Sequence, residues 1–340
     1  MDSAEQIRWK TNLKRWGKAL GFVSIGFTTA QPIEGLASQL QAGIDQGLAT
    51  PFESKDIKSR IDPKVGWPGC ETVVALAYPL PYSSPPQEGE GVMARSAVGG
   101  DYHHFMNEKI DHLVEIMDSN DWRGTSQRQV DTGPLIERAF ALRAGIGWIG
   151  RNQHLIIPGY GSFVALALLL IDQKIEPDDL HINNQCGTCQ QCVQACPAQI
   201  LEKDMFASKR CVSYLTQSKE VLSSQECERI GLRIFGCDTC QEACPHNQIW
   251  LEQEQQQRQR VNSSTAILRR GVDLLEILNL TKGEFQRRFK ATAAGWRGKG
   301  VLQRNAFLAL RNFPDGRCEL WLEERDRGQS VPPIIAPYLK

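Results

Sequence analysis

Apolar residues recur with a helical period over residues 3–20, where Ile7, Leu13 and Leu20 fall near one face, Asp2 or Ser3 can cap the start and Gly21 can end the run. Residues 22–27 read as a short apolar strand. Residues 72–78, rich in Val and Ala and stopped by Pro79 and Pro81, read as a stronger one. Pro, Ser and Gly make 83–91 a loop, and 101–117 have a helical pattern. Residues 128–130 lead into Asp131-Thr-Gly-Pro134, where Pro134 suits the first turn of a helix running through Arg143. A glycine-rich stretch over 145–161 precedes a strand at 163–171. This alternation predicts a mixed α/β domain over 1–175.

The pattern then changes. Residues 176–250 carry nine of the chain's 11 cysteines, and 251–259, mostly Gln and Glu, read as a solvated connector. Helical spacing returns over 251–340. Leu274, Leu275, Ile277, Leu278 and Leu280 form one apolar stretch, 285–289 a second and 301–313 a third. Short helices so spaced can stack as a helical repeat.

The cysteines give the sharpest signal. Cys186, Cys189, Cys192 and Cys196, followed by Pro197, complete C-x2-C-x2-C-x3-C-P, the run of bacterial two-cluster ferredoxins. Cys237, Cys240 and Cys244, followed by Pro245, repeat its last three positions, with Ile234 where the first cysteine would stand. Three thiolates on a tight loop reach three irons of one cubane, and the fourth points to a second cluster. One cluster then takes Cys186, Cys189, Cys192 and Cys244. The other takes Cys196, Cys237, Cys240 and either Cys211 or Cys227. Zinc ribbons also use C-x2-C pairs, but the two C-x3-C-P ends are iron–sulfur features. Eleven cysteines in 340 residues do not make a small disulfide scaffold.

Charge adds a second theme. The chain is neutral, with 39 basic and 39 acidic residues, yet 257–311 hold 12 Lys and Arg against 3 Asp and Glu. Arg287, Arg288, Lys290, Arg297, Lys299 and Arg304, interleaved with Phe285, Phe289 and Trp296, predict a surface for nucleic-acid phosphates. A splayed base delivered to a pocket would favour RNA over duplex DNA. Residues 1–10 lack an apolar stretch and the run 163–171 is too short to span a bilayer, so a cytoplasmic protein without a signal peptide or membrane partner is expected. Nothing in the pattern calls for more than a monomer.

Other candidates are weaker. Gly145-Ile-Gly-Trp-Ile-Gly150 spells G-x-G-x-x-G, but a helix precedes it and a strand follows, the reverse of a dinucleotide site. Its glycines either make turns or let the backbone approach something flat. Asp131 can donate a proton if burial raises its pKa, or can merely cap the next helix. His103 and His104 read as structural, and Cys70 and Cys318 as buried hydrophobes.

The strings 130–138 (Val-Asp-Thr-Gly-Pro-Leu-Ile-Glu-Arg), 145–152 (Gly-Ile-Gly-Trp-Ile-Gly-Arg-Asn), 210–215 (Arg-Cys-Val-Ser-Tyr-Leu), 236–241 (Gly-Cys-Asp-Thr-Cys-Gln) and 297–305, with the first cysteine run, resemble epoxyqueuosine reductases in the same order. The resemblance implies a nitroreductase-like α/β cobalamin-binding domain (1–175), a ferredoxin-like domain with two [4Fe-4S] clusters (176–250) and basic HEAT-like helices that bind tRNA (251–340). It implies base-off cobalamin, reduction of epoxyqueuosine to queuosine at the tRNA wobble position, and electrons from a small donor. It favours Cys211 as the eighth ligand and makes Asp131 the proton donor. Arg60, Asp131, Asn152, Ser162 and Asp238 fall in stretches similar to cobalamin-contacting ones. The family usually has Tyr where this chain has Ser96. Two rivals remain. A reductive dehalogenase shares the cofactor plan but has no use for the basic region, and a non-catalytic electron carrier needs neither cobalamin nor Asp131.

Overall fold

The structure is a computed structural model describing residues 1–178, 180–201, 205–252, 268–326 and 330–339. Of the expected connector, 253–259 lie outside the described residues. The N-terminal half is built on four strands, β1 (Ser24–Thr29), β2 (Thr72–Pro79), β3 (Ser126–Gln129) and β4 (Val164–Ile171). They lie in the order β1-β2-β4-β3, antiparallel throughout.

Successive side chains point to opposite faces of a strand, and here both faces are covered. Val74, Leu76 and Leu169 join one core with Trp9 and Leu13 of helix α1 (Ser3–Ala19) and Met106, Ile110 and Leu113 of α2 (Tyr102–Asp118). Val73, Ala75 and Leu168 join another with Phe140 of α3 (Glu137–Arg143). Continuous apolar runs, rather than alternating ones, are what a doubly covered sheet requires. Each such Leu or Phe contributes about 1.5–3 kcal/mol by burial. The expected caps hold for α1, where the Asp2 carboxylate accepts the Glu5 N–H at 2.8 Å. The start of α3 differs from expectation. It begins at Glu137, three residues beyond Pro134, because side-chain contacts hold the preceding loop out of the helix.

The rest packs as one body. Short helices α4 (Gln191–Ala195) and α5 (Thr239–Glu242) each carry cysteines and lie against one another. Strand Gly91–Met93 is flanked by Arg233–Phe235 and Gly271–Val272, so three distant stretches share one small sheet. Helix α6 (Lys299–Asn312) runs through the centre, with 301–310 wholly buried. A single apolar core contains Val212, Ile230 and Ile234 from the cysteine region and Leu274, Leu302 and Phe307 from beyond it.

Burial of α6 corrects one expectation. Arg304 is 0% exposed and cannot reach RNA. Its guanidinium donates to the Ser218 carbonyl at 2.7 Å, the Leu215 carbonyl at 2.8 Å and Asn305 Oδ1 at 2.8 and 3.0 Å. Asn305 in turn donates to the carbonyls of Thr216 and Ile234. The pair ties α6 to the loops framing the cysteines. Arg304→Ala leaves buried acceptors unpaired and is expected to cost about 3 kcal/mol or more. A fall in the urea midpoint checks this, and wild-type stability would remove the structural role.

Candidate active site

Asp131 sits on the turn between β3 and α3, with the left-handed φ of +56°, rare for a residue with a side chain. It does not cap α3, whose N-cap residue is Ile136, without a side-chain cap. The turn is held at its base by Gln129. The Gln129 amide accepts the Leu135 N–H at 3.0 Å and donates to the Leu135 carbonyl at 2.8 Å and to Glu137 at 2.5 Å. Burial raises the Glu137 pKa to about 7. Gln129 was not singled out from sequence, since a lone Gln in a strand carries no pattern.

Two residues of α2 reach Asp131. The Tyr102 hydroxyl donates to Oδ2 at 2.8 Å, and His103 Nε2 lies 3.2 Å from the same oxygen. His103 Nδ1 faces Asp101 Oδ1 at 2.5 Å. Both ring nitrogens face carboxylate oxygens, and only the imidazolium donates from both. The hydrogen bond to Asp131 accordingly raises the His103 pKa, and the same bond lowers that of Asp131 against the opposing pull of desolvation. This corrects two expectations. Burial does not keep Asp131 neutral, and His103 is engaged with it rather than structural. The Asp131 side chain is 63% exposed yet partly desolvated by its surroundings.

The other singled-out residues make contacts of their own. Asn152 is 2% exposed, its Oδ1 accepts the His154 N–H at 3.2 Å, and its Nδ2 has no partner among the described residues. Arg60 is buried and pairs with Glu53 at 2.9 Å. Ser162 and Asp238 lie at the junction of the two halves. Ser162 donates to Gln241 at 3.0 Å and accepts from Asn247 at 2.9 Å. Gly161, φ +71°, permits this approach, since a Cβ there would stand 2.0 Å from Asn247 Oδ1. Asp238 accepts the Arg95 N–H at 2.7 Å, and burial raises its pKa against the pull of Arg270. Arg95, missed in the sequence, is buried with its guanidinium 4.6 Å from the Phe163 ring centre and its Nε unpartnered among the described residues. Unpartnered buried donors at Asn152 and Arg95 fit an acceptor-rich cofactor such as a corrinoid with its amide rim. The glycines at 145–150 serve internal packing instead. A Cβ at Gly147 would meet the Ile156 carbonyl oxygen at 2.3 Å.

All 11 cysteines are free. Burial pushes the Cys192 thiol up, and the nearby sulfurs of Cys244, Cys186 and Cys189 push it further. The same holds for Cys240, next to Cys237, Cys211 and Cys196. Cys211 is pushed up to about 11, first by burial and then by Cys237 and Cys196. Cys227 instead has Arg304, Arg311 and Glu226 as its charged neighbours. Cys192 thus has Cys186, Cys189 and Cys244 as neighbours, and Cys240 has Cys196, Cys211 and Cys237. Cys70 and Cys318 are buried, as expected.

Of the basic residues, Arg287, Arg288 and Lys290 are exposed, with Arg288 paired to Glu276 at 3.1 Å. Lys299 donates to the Leu280 carbonyl at 3.1 Å. The Arg297 guanidinium lies 4.6 Å from the Trp296 ring centre and 5.0 Å from that of Phe52. Trp296, 55% exposed, meets Phe52 edge-on at 5.0 Å. Phe285 and Phe289 are core residues.

Residues 185–247 match a family described as a 4Fe-4S double cluster binding domain. The mixed α/β core joined to this lobe defines an iron–sulfur oxidoreductase. Residues 60–132 match the family described as epoxyqueuosine reductase QueG, DUF1730. The epoxyqueuosine reductase of Staphylococcus aureus is 36% identical over 312 residues, 89% of this chain and 80% of that one. The chain belongs to the epoxyqueuosine reductase family, which sets aside the dehalogenase and carrier readings. Among solved structures, an epoxyqueuosine reductase with an epoxyqueuosine-modified tRNA-Tyr stem loop is similar at TM-score 0.83 and 34% identity, covering 94% of this chain and 85% of that one. The Bacillus subtilis enzyme, with an aspartate catalytic loop swung out of its active site, is similar at TM-score 0.83 and 32% identity, covering 97% and 88%. Among the described residues no helix is long and apolar enough to cross a membrane.

Proposed function

We propose that this chain reduces epoxyqueuosine to queuosine at the wobble position of tRNA, with cobalamin and two [4Fe-4S] clusters. The observation that carries the reading is Asp131, on a strained turn, with two donors on its carboxylate in a chain of this family. Cys186, Cys189, Cys192 and Cys244 would hold one cluster. Cys196, Cys211, Cys237 and Cys240 would hold the other, and the thiol neighbours of Cys211 support it over Cys227. Base-off cobalamin would bind against Asn152 and Arg95, with Arg60, Ser162 and Asp238 as further contacts, and would supply the redox-active cobalt.

The residues then divide the work. Opening an epoxide leaves an alkoxide, which must be protonated before water can leave. Asp131 stands to deliver that proton, and His103, held as imidazolium between two carboxylates, stores it. Tyr102 fixes Oδ2 in place. The swung-out aspartate loop of the B. subtilis enzyme supports a loop that moves as substrate enters. Overall, two electrons and two protons enter and one water leaves, with the electrons coming singly from a small donor. In this reading the protein works as a cytoplasmic monomer.

Arg287, Arg288, Lys290, Arg297 and Lys299 would bind the tRNA backbone, and the relative with a bound stem loop supports RNA as the partner. Charge reversal at Arg288 and Lys290 is expected to weaken stem-loop binding and to flatten its salt dependence by roughly 0.7–0.9 per lost phosphate contact. Unchanged binding moves the RNA surface elsewhere. The function itself is tested anaerobically with iron-loaded protein, cob(II)alamin, a reductant and an epoxyqueuosine-modified stem loop. Mass spectrometry should show loss of one oxygen. No product, with clusters loaded and cobalamin bound by paramagnetic resonance, overturns the reading.

A further inference from the structure

Trp148 lies on the short strand Trp148–Ile149, 2% exposed, in a small apolar cluster with Ile156 and Cys244. Ile182 and Cys186 pack against the same cluster. Its indole N–H is buried and has no acceptor among the described residues. Leaving a buried donor unpaired costs about 1–3 kcal/mol, and buried polar groups in folded proteins nearly always find a partner. The members of this apolar cluster offer only two acceptor atoms beyond the backbone, the sulfurs of Cys244 and Cys186. His246 meets the indole edge-on at 5.0 Å, without a hydrogen bond to its nitrogen. Both sulfurs belong to the set proposed above to hold one cluster.

We infer that Trp148 donates its indole N–H to the sulfur shell of the cluster held by Cys186, Cys189, Cys192 and Cys244, and so raises that cluster's reduction potential. The inference rests on the two-cluster reading above. Reduction places negative charge on the sulfurs, and a donor aimed at them favours the reduced state. Asn152 follows Trp148 by four residues, in the turn after its short strand. Trp148 belongs to the catalytic half, so this cluster packs against that half.

Trp148→Phe keeps the ring and removes the donor. In redox titrations of the anaerobically loaded full chain, followed by paramagnetic resonance, one midpoint should shift negative while the other stays. A tenfold loss in the reduction equilibrium would be about 59 mV for a one-electron couple. Pulsed measurements on the reduced wild-type cluster, with indole nitrogen labelled as 15N, should show coupling to that nitrogen. This second measurement needs no variant and stands if W148F loads poorly. Unmoved potentials with both clusters loaded, or no 15N coupling, overturn the inference and leave the two-cluster reading intact. Wild-type protein that loads fewer than two clusters overturns both.

Discussion

Asp131→Asn should lower turnover by roughly 100- to 10,000-fold, the span that a positioned general acid contributes, while both clusters still load. Asn keeps the shape and can still accept from Tyr102, but it cannot relay a proton. The pH dependence follows from its neighbours. The His103 pKa is raised above its ordinary 6.5, chiefly by the hydrogen bond to Asp131. The stored proton is therefore fully present below that value and lost as the pH climbs through the raised one. Asp131 is lowered from its ordinary 3.8, again by His103 first, so the pair breaks at the acid end only below that range. Activity should fall on the alkaline side, as the pH climbs through the raised His103 value. His103→Gln should remove the alkaline fall together with much of the rate. Normal turnover by Asp131→Asn would end the assignment, and an alkaline limb that persists in His103→Gln would place the store elsewhere.

Cys211→Ala should abolish one cluster, halving the iron and labile sulfide of the anaerobically reconstituted protein, whereas Cys227→Ala should retain both. The contrast comes from placement. Cys211 shares its surroundings with the sulfurs of Cys237 and Cys196, and its thiol is pushed up to about 11 chiefly by burial. Such a thiol stays protonated at neutral pH unless a metal takes the proton's place. Cys227 lies on helix Ser224–Ile230, with the guanidinium groups of Arg304 and Arg311 near it. Iron analysis and the paramagnetic spectrum of each variant decide the matter. A full complement in Cys211→Ala, or a lost cluster in Cys227→Ala, would exchange the two roles.

Much of this was legible because the signals are local. The spacing of the two cysteine runs states the cluster chemistry without any fold, since closely spaced thiolates on one tight loop supply several ligands of a cluster. The continuous apolar runs at 72–78 and 163–171 mark strands covered on both faces, and they are the central pair of the sheet. The 130–138 string marks the stretch that carries Asp131. None of these needs distant partners to be read.

What only the tertiary structure decided is what depends on distant partners. Arg304 and Arg288 look alike in a basic stretch, yet one is sealed in the centre of α6 by carbonyls 86 and 89 residues away and the other is exposed. His103 lies 28 residues from Asp131 in sequence, and only the packing of α2 beside the turn brings them to 3.2 Å. That contact reverses the pKa expected of Asp131, because the hydrogen bond from His103 outweighs desolvation. The eighth cysteine was open between two positions for the same reason. Composition and spacing fix which atoms the chain possesses and which lie close along it. Burial, protonation and pairing are set by whichever groups the fold brings within a few ångströms.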